Sequence, residues 1–399
     1  MSTRQSHPYL VLTALWLMVF SASSQVIIIA PILPRIGEEL LIPEELQGWL
    51  VTVYAVFLSI FALITGPISD KIGRRLILLI GSASMALALA LHAAADTFTA
   101  LLITRAVAGA AGGMLTGAAV AYVGDYFPYN RRGWANGWVM SGVAVGQIVG
   151  IPIGTLLADK FGFRSAFLMF GAFMLLATVL IYYFVPQPDV DRDEARLTLR
   201  SAIGIYIELL RRPVVVAASA TYFLMFFSIG LYIIYFPTWL EVTLNLCVED
   251  IAFIFFIGGI ANVVFGPSAG RISDKVGRKP MIVISCIGFA IVMVLTTYVV
   301  DSMWLASALF AAAMVMVAMR LSPLQSLMTA LVSENRRGAL LCLAVSIGNV
   351  GIGLGGAVAG MMYTKYGFVS NTILGAVSIL LMAIVVQVFL PEPKEGVIE

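Results

Sequence analysis

Long apolar stretches separated by short polar segments run along the whole chain, and twelve of them are long enough to cross a membrane. A bilayer core about 30 Å thick needs roughly 20 apolar residues per helix. Backbone polar groups have no water partner in lipid, and the alternation typical of a membrane barrel is missing, so these stretches are predicted to be helices. The predicted spans are 9–31, 46–66, 76–94, 98–124, 134–158, 165–185, 214–240, 251–270, 280–300, 302–330, 339–363 and 368–390.

Composition supports this all-α polytopic fold. Of the 399 residues, 60% are hydrophobic and 12% charged, with a net charge of +2. Soluble domains average about 45–50% apolar and about 25% charged residues, so a soluble globule, a disordered chain and a nucleic-acid binder are excluded. Three scattered cysteines suit neither a disulfide framework nor a metal site, and no cofactor is expected. The first stretch is long and precedes eleven more, so it is interpreted as a retained helix rather than a signal peptide.

Positive charges indicate the orientation. With a cytoplasmic N-terminus, 18 of the 24 Lys and Arg residues fall in cytoplasmic segments, four fall outside, and Arg105 and Arg320 lie within spans. Cytoplasmic loops carry an excess of Lys and Arg. We therefore expect both termini to be cytoplasmic, in an inner or plasma membrane.

The two halves of the chain repeat each other. The sequence GPISDKIGRR at 66–75 returns as GRISDKVGRK at 270–279, an offset of 204, and NRRG at 130–133 and KFGF at 160–163 return with an offset of 205. An even number of spans per repeat makes the repeats parallel about an axis normal to the membrane. This predicts two pseudo-symmetric six-helix bundles at 1–185 and 214–399. Residues 186–213 form a cytoplasmic linker whose second part can be an amphipathic helix, as a tether on the headgroups or as a regulatory element.

The loop after the second predicted span carries a charged motif. Gly66 allows two helices to approach closely, Gly73 permits a turn with positive φ, and Asp70 with Arg74 can form a charge-assisted latch. The alternative is that the basic residues only enforce orientation. The second copy of the motif consists of Gly270, Asp274, Gly277 and Arg278.

With twelve spans and the duplication, this motif resembles the signature of major facilitator superfamily transporters. The resemblance implies that Asp70 docks at the start of the eleventh helix and that the latch favours the outward-open state. It also implies that Asp125, at the end of the fourth span, is the third member of this charge network.

Glycines repeat every four residues in two spans, which places them on one helix face for close packing. In the fourth span, Arg105 precedes Gly109, Gly113 and Gly117, a pattern that resembles the superfamily's arginine motif, linked to proton coupling. The fifth span has Gly142, Gly146, Gly150 and Gly154 with Pro152. This series resembles the motif of drug and proton antiporters, but here Ile151 separates Gly150 from the proline, and Thr155 follows Gly154.

The predicted spans contain neither Asp nor Glu. Proton-driven efflux members of the superfamily usually carry a carboxylate in the first helix, and Gln25 occupies the matching place here. Either Asp125 handles the proton or the coupling is of another kind. His92 is expected near the outer surface, where it would contribute little.

The two arginines within spans are the unusual charges. Arg105 lies roughly 10 Å into its helix and can partly snorkel outward. Arg320 lies roughly 15–20 Å deep, where a charge usually faces a functional cavity. It either binds an anionic or strongly polar group of the cargo, or it is satisfied by carbonyls and neighbours such as Ser322 and Gln325.

Further cavity candidates are polar or aromatic residues within spans. Aromatic residues are abundant in the seventh span, where Tyr235 to Trp239 are expected to form an interface belt and the interior rings would suit a flat or lipophilic cargo. The candidates are Gln25, Tyr54, Trp138, Gln147, Tyr222, Phe226, Tyr232, Asn262, Gln325 and Asn349, with Arg105 and Arg320.

These features predict a monomeric secondary transporter that moves a small organic solute by rocker-switch alternating access. The favoured function is proton-linked efflux of partly lipophilic compounds. The alternative is an organic-anion symporter or uniporter that uses Arg320. A membrane receptor or enzyme is the third hypothesis, but an enzyme would need clustered acids or histidines, which the spans do not provide.

Overall fold

The apolar stretches fold into helices in the part of the chain that the computed structural model describes, residues 8–188, 199–329, 331 and 334–391. The helices are α1 (Pro8–Ile27), α2 (Ile29–Leu40), α3 (Glu44–Gln47), α4 (Trp49–Ile72), α5 (Arg74–Leu91), α6 (Phe98–Leu115), α7 (Ala118–Tyr126), α8 (Tyr129–Val145), α9 (Ile151–Phe161), α10 (Phe163–Phe184), α11 (Leu199–Leu210), α12 (Pro213–Ile233), α13 (Phe236–Leu244), α14 (Val248–Val276), α15 (Arg278–Val299), α16 (Met303–Thr329), α17 (Glu334–Tyr366) and α18 (Phe368–Phe389).

Within the described residues, twelve helical segments are long and apolar enough to cross a membrane, which confirms the predicted number. Four spans contain parts of two helices: Glu44–Thr65 contains α3 and most of α4, Phe98–Tyr126 contains α6 and α7, Trp134–Phe161 contains α8 and α9, and Pro213–Leu244 contains α12 and α13.

Two of these breaks have identifiable causes. Between α6 and α7, Gly117 adopts a left-handed conformation with φ of 78°, which glycine reaches without steric cost. Between α8 and α9, residues Gly146–Gly150 form a π-helical turn that is separated from Pro152 by Ile151. Proline has no N–H to donate to the preceding turn, and π turns within α-helices occur frequently at functional sites.

The first compact unit contains Met1–Ile42 and Val53–Ala202. Its α1 packs against α8 and α10, and α5 packs against α6 and α10. Glycines make these approaches possible: a methyl group at Gly109 or Gly113 would clash with the α4 backbone at Tyr54 or Leu58, and one at Gly142 would lie 2.8 Å from the Trp16 carbonyl oxygen.

The second compact unit contains Pro43–Thr52 and Ile203–Glu399. Its α12 packs against α17 and α18, and α14 packs against α16. The short segment from the first half of the chain is held by hydrogen bonds: the Gly48 N–H donates to the Tyr235 hydroxyl (3.1 Å), and the Thr52 hydroxyl donates to the Gly353 carbonyl (2.5 Å). Contacts therefore place residues 43–52 with the second unit, although the predicted halves place them in the first.

The two copies of the loop motif share a turn. Gly73 has φ of 103° and Gly277 has φ of 100°, and each directly precedes a helix, α5 or α15. These are backbone conformations that other residues rarely adopt. The turn accounts for the glycine in each copy.

The linker forms helix α11, while residues 189–198 lie outside the described part of the chain. Leu209 of α11 is buried in a cluster with Val215, Leu340 and Leu343, and Tyr206 packs against this cluster. Burial raises the pKa of the Tyr206 phenol to about 12, so this side chain stays uncharged at neutral pH. The linker helix is thus packed against α12 and α17 of the second unit.

Candidate transport site

A buried polar network in the first unit joins three of the predicted cavity residues. Arg105 on α6 donates from Nη1 to the Gln25 Oε1 atom of α1 at 3.2 Å, and Gln25 Nε2 donates to the Tyr54 hydroxyl of α4 at 3.0 Å. The Arg105 Cζ atom lies 4.5 Å from the centroid of the Tyr54 ring. Uncharged partners thus hold the guanidinium by a hydrogen bond and a cation–π contact.

The glycine series of α6 positions this network. Gly109 lies one turn after Arg105 and contacts the Tyr54 backbone, while a methyl group at Gly112 would lie 2.5 Å from the Tyr54 hydroxyl. Arg105 is 1% exposed, so the expectation that it snorkels outward is wrong. The close approach of α6 to α4 gives it partners inside the unit instead.

His92 lies beside this network, at the end of the span Arg74–Ala94. It is fully buried, its ring centroid lies 4.4 Å from that of Phe167, and Arg105 lies 5.9 Å from the same Phe167 ring. Its Nδ1 atom lies 2.6 Å from the Ala88 carbonyl oxygen, so this nitrogen carries the proton. The other ring nitrogen, Nε2, has no hydrogen-bond partner in the described residues. In the sequence, the apolar residues that precede His92 could have predicted that its side chain is buried.

Arg320 on α16 is buried in the second unit, and the described residues give its guanidinium no hydrogen bond. It is 0% exposed, and its Cζ atom lies 4.4 Å from the centroid of the Phe289 ring on α15. None of its three guanidinium nitrogens has a hydrogen-bond partner in the part of the chain that the structure describes. Among the described residues, no carbonyl or polar side chain satisfies Arg320: Gln325 is exposed, and the Ser322 side chain lies outside the described residues.

The other predicted cavity residues make separate local contacts within each unit. Tyr232 is buried with its hydroxyl 3.0 Å from that of Thr296, and Tyr222 is buried with its ring 6.3 Å from that of Phe226. The Tyr222 hydroxyl has no hydrogen-bond partner among the described residues. Asn349 donates to the Val345 carbonyl at 2.9 Å within its own helix. The half-exposed or exposed members are Trp138, Gln147, Phe226, Asn262, Gln325 and Asn349.

The predicted interface belt is wrong. Tyr235, Phe236 and Trp239 are all buried in the second unit. The Phe236 ring stacks 5.1 Å from that of Phe310, and the Trp239 ring stacks 5.0 Å from that of Phe368. Packing with helices distant in the sequence, rather than headgroup contact, accounts for these aromatic residues.

Comparison with known proteins decides the family. The model of the Major Facilitator Superfamily matches residues 15–267 and 218–397. The chain belongs to the Major Facilitator Superfamily. This is a family of transporters and not of enzymes, as predicted.

Similar superfamily members are known in sequence and structure. The multidrug resistance protein MdtG of Proteus mirabilis is 26% identical over 365 residues, covering 88% of this chain and 89% of that protein. The uncharacterized MFS-type transporter YceJ of Bacillus subtilis is 25% identical over 359 residues, with the same two shares. The crystal structure of a D-xylose-proton symporter matches with a TM-score of 0.80 at 19% identity, covering 96% of this chain and 98% of that one. At this identity the structural match establishes the fold.

The superfamily loop motif contributes an ion pair in the first unit. The Arg74 Nε atom lies 2.9 Å from the Asp125 Oδ2 atom, and Arg74 Nη1 donates to the Ser69 hydroxyl at 3.0 Å. The side chains of Asp70 and Asp274 lie outside the described residues. Arg74 therefore joins the end of α7 to the turn at Gly73.

Proposed function

We propose that this superfamily member exports small, partly lipophilic organic compounds by alternating access, linked to a proton gradient. The similarity to MdtG, whose name describes multidrug resistance, supports the cargo class. The glycine series of the fifth span, which resembles the motif of drug and proton antiporters, supports the direction.

The observation that carries this proposal is the π turn at Gly146–Gly150. A Cβ atom at Gly146 or Gly150 would lie 2.7 or 2.5 Å from the Ser24 hydroxyl oxygen of α1. Ser24 precedes Gln25, the residue that binds Arg105. The antiporter-like segment therefore contacts the first span next to the buried polar network.

The same network indicates the charge of the cargo. Gln25 stands where related exporters carry a carboxylate, and its neighbour Arg105 is cationic. A cation would meet like charge there, so neutral and anionic compounds are the better cargo. Asp125 is then the candidate proton carrier, because it is the carboxylate that lies at the end of α7 within the first unit, paired with Arg74.

Accumulation in cells tests the proposal. Expression of the chain should lower the steady-state level of radiolabelled chloramphenicol, a neutral compound, and a protonophore should abolish the difference. Ethidium, a cation, should change little. A chloramphenicol level equal to that of cells without the protein would overturn the proposal.

Two glycine variants provide matched controls for this assay. Gly150→Ala should abolish the effect because its methyl group meets Ser24, whereas Gly137→Ala on the same span should preserve it because nothing lies within 4 Å of its Cβ position. If both variants exported equally well, export would not depend on the contact between Gly150 and Ser24 of α1, and this support for the proposal would be lost.

Organic-anion transport is the second candidate, and the unpartnered guanidinium of Arg320 favours it. A buried charge without a hydrogen bond is costly, and an anionic cargo that reached it in another conformation would supply the missing acceptor. Fluorescein flux should then fall strongly in Arg320→Ala and less in Arg320→Lys. Unchanged flux in both variants would exclude this role.

We also propose that the protein is a monomer in the inner or plasma membrane with both termini in the cytoplasm. The placement of 18 of 24 basic residues in the corresponding segments supports this orientation. Labelling of single cysteines introduced into the loops of intact cells tests it.

A further inference from the structure

Five aromatic side chains of α1 and α8 form two neighbouring groups of ring contacts on the first unit, together called the aromatic strip below. Ring centroids lie 5.8 Å apart for Tyr9 and Trp134, 6.5 Å apart for Trp134 and Trp138, and 5.4 Å apart for Trp16 and Phe20. These separations are those of interacting aromatic pairs. The strip comprises Tyr9, Trp16, Phe20, Trp134 and Trp138.

A hydroxyl group links the two helices of the strip. The Trp16 indole N–H donates to the Ser141 hydroxyl at 3.1 Å, and this hydroxyl donates to the Trp138 carbonyl at 2.6 Å. The close approach of α1 and α8 at Gly142 holds the helices in this register. The indole of Trp16 is therefore fixed in orientation, and binding to it would cost little side-chain entropy.

Exposure changes along the strip. Tyr9, Trp134 and Trp138 are 55%, 46% and 47% exposed, whereas Phe20 is 9% exposed. Tyr9 and Phe20 are eleven residues apart on one helix, which corresponds to about 16 Å at about 1.5 Å per residue. The strip thus leads from an exposed end near the N-terminus into the packed middle of the unit.

The surroundings of the strip differ from the exposed face of α18. Between Ile373 and Ile384 the exposed residues of α18 are all Ile, Val or Leu. The exposed residues beside the strip are mixed: the hydroxyls of Thr13 and Ser141 lie on the same helices as the exposed Leu10 and Met140. Polar groups within spans usually face the protein or a water-filled cavity, so this face is one that a dissolved compound reaches.

We propose that the aromatic strip binds the planar aromatic part of the transported compound. The inference rests on the proposed transport function and specifies its cargo as compounds with a flat aromatic ring system. The five side chains of the strip carry no charge, so they recognise the ring while the charge of the compound is left to other groups. Indole rings are well suited to this because of their large polarizable faces.

Equilibrium dialysis of the purified full chain in detergent tests this inference. The probes are radiolabelled naphthoate and decalin carboxylate, its fully hydrogenated counterpart, which has a similar size and charge but no flat π face. Wild type should bind naphthoate about three- to tenfold more tightly, the preference expected for one or two aromatic contacts. Trp138→Leu should lose this preference, and Trp138→Phe should retain most of it.

Trp304→Leu is the matched control, because Trp304 is an exposed tryptophan of the second unit that lies outside the strip. It should bind naphthoate as wild type does. Equal binding of the two probes by wild type, no saturable naphthoate binding, or an unchanged preference in Trp138→Leu would each overturn the inference.

The assay separates this inference from the proposed function. Binding in detergent needs neither a gradient nor a closed membrane. A protein that exports no chloramphenicol but retains the strip-dependent naphthoate preference would contradict the proposed function alone.

Discussion

Each unit buries one arginine within a span, and the two arginines differ in what surrounds them. Arg105 in the first unit donates to Gln25 and stacks on Tyr54. Arg320 in the second unit contacts the Phe289 ring, and its three nitrogens have no hydrogen-bond partner in the described part of the chain. The two arginines are therefore equally buried, but they differ in the hydrogen bonds that their guanidinium groups donate. The folded chain itself stabilises Arg105, whereas Arg320 retains donors that a cargo or another conformation would have to satisfy.

Replacing each arginine by methionine should have the largest effect on stability, and the two replacements should change stability in opposite directions. Arg105→Met removes a donor from a buried network and should lower the free energy of unfolding by about 1–3 kcal/mol, because Gln25 loses its charged partner. Arg320→Met removes an unpaired buried charge and should raise the melting temperature. Scanning fluorimetry in detergent measures both changes, and shifts of the same sign would contradict the comparison.

Two buried tyrosines, Tyr54 in the first unit and Tyr222 in the second, allow the same comparison with a smaller expected effect. Tyr54→Phe removes the hydroxyl that accepts from Gln25 and should cost about 0.5–1.5 kcal/mol. Tyr222→Phe removes a buried hydroxyl without a hydrogen-bond partner in the described residues and should be neutral or slightly stabilising. Melting temperatures of the two variants provide the test, and a larger loss for Tyr222→Phe would reverse the assignment.

The smallest effect is expected at the ion pair between Arg74 and Asp125. Both side chains are partly exposed, and such pairs contribute about 0.2–1 kcal/mol. Arg74→Gln should lower the melting temperature slightly, and added salt should reduce the difference from wild type. A salt-independent loss would indicate that Arg74 acts through packing instead.

Most of the fold could be predicted from the sequence. The hydropathy pattern predicted the twelve spans, and the residues of the loop motif predicted the family, because both signals are local in the chain. Glycine spacing indicated the helix faces that pack closely, and the structure places Gly109 and Gly113 against the backbone of α4.

The site could be predicted only in part, because its contacts join residues far apart in the sequence. The aromatic residues at Tyr235 and Trp239 have the composition of an interface belt, yet α16 and α18 cover the surrounding rings. His92 has the composition of a loop end, yet Phe167 of α10 covers it. For Arg320, the sequence indicated burial but not the missing hydrogen-bond partners, which depend on the residues that line its surroundings.

The most direct test of the account is the flux of radiolabelled chloramphenicol into proteoliposomes with and without an imposed pH gradient. Proton-linked export predicts that chloramphenicol accumulates above its equilibrium level only when the pH gradient is present. This accumulation should be lost in Arg105→Met. Flux that is equal with and without the gradient would contradict proton-linked export and indicate uniport. No flux in either condition would contradict the proposed cargo class.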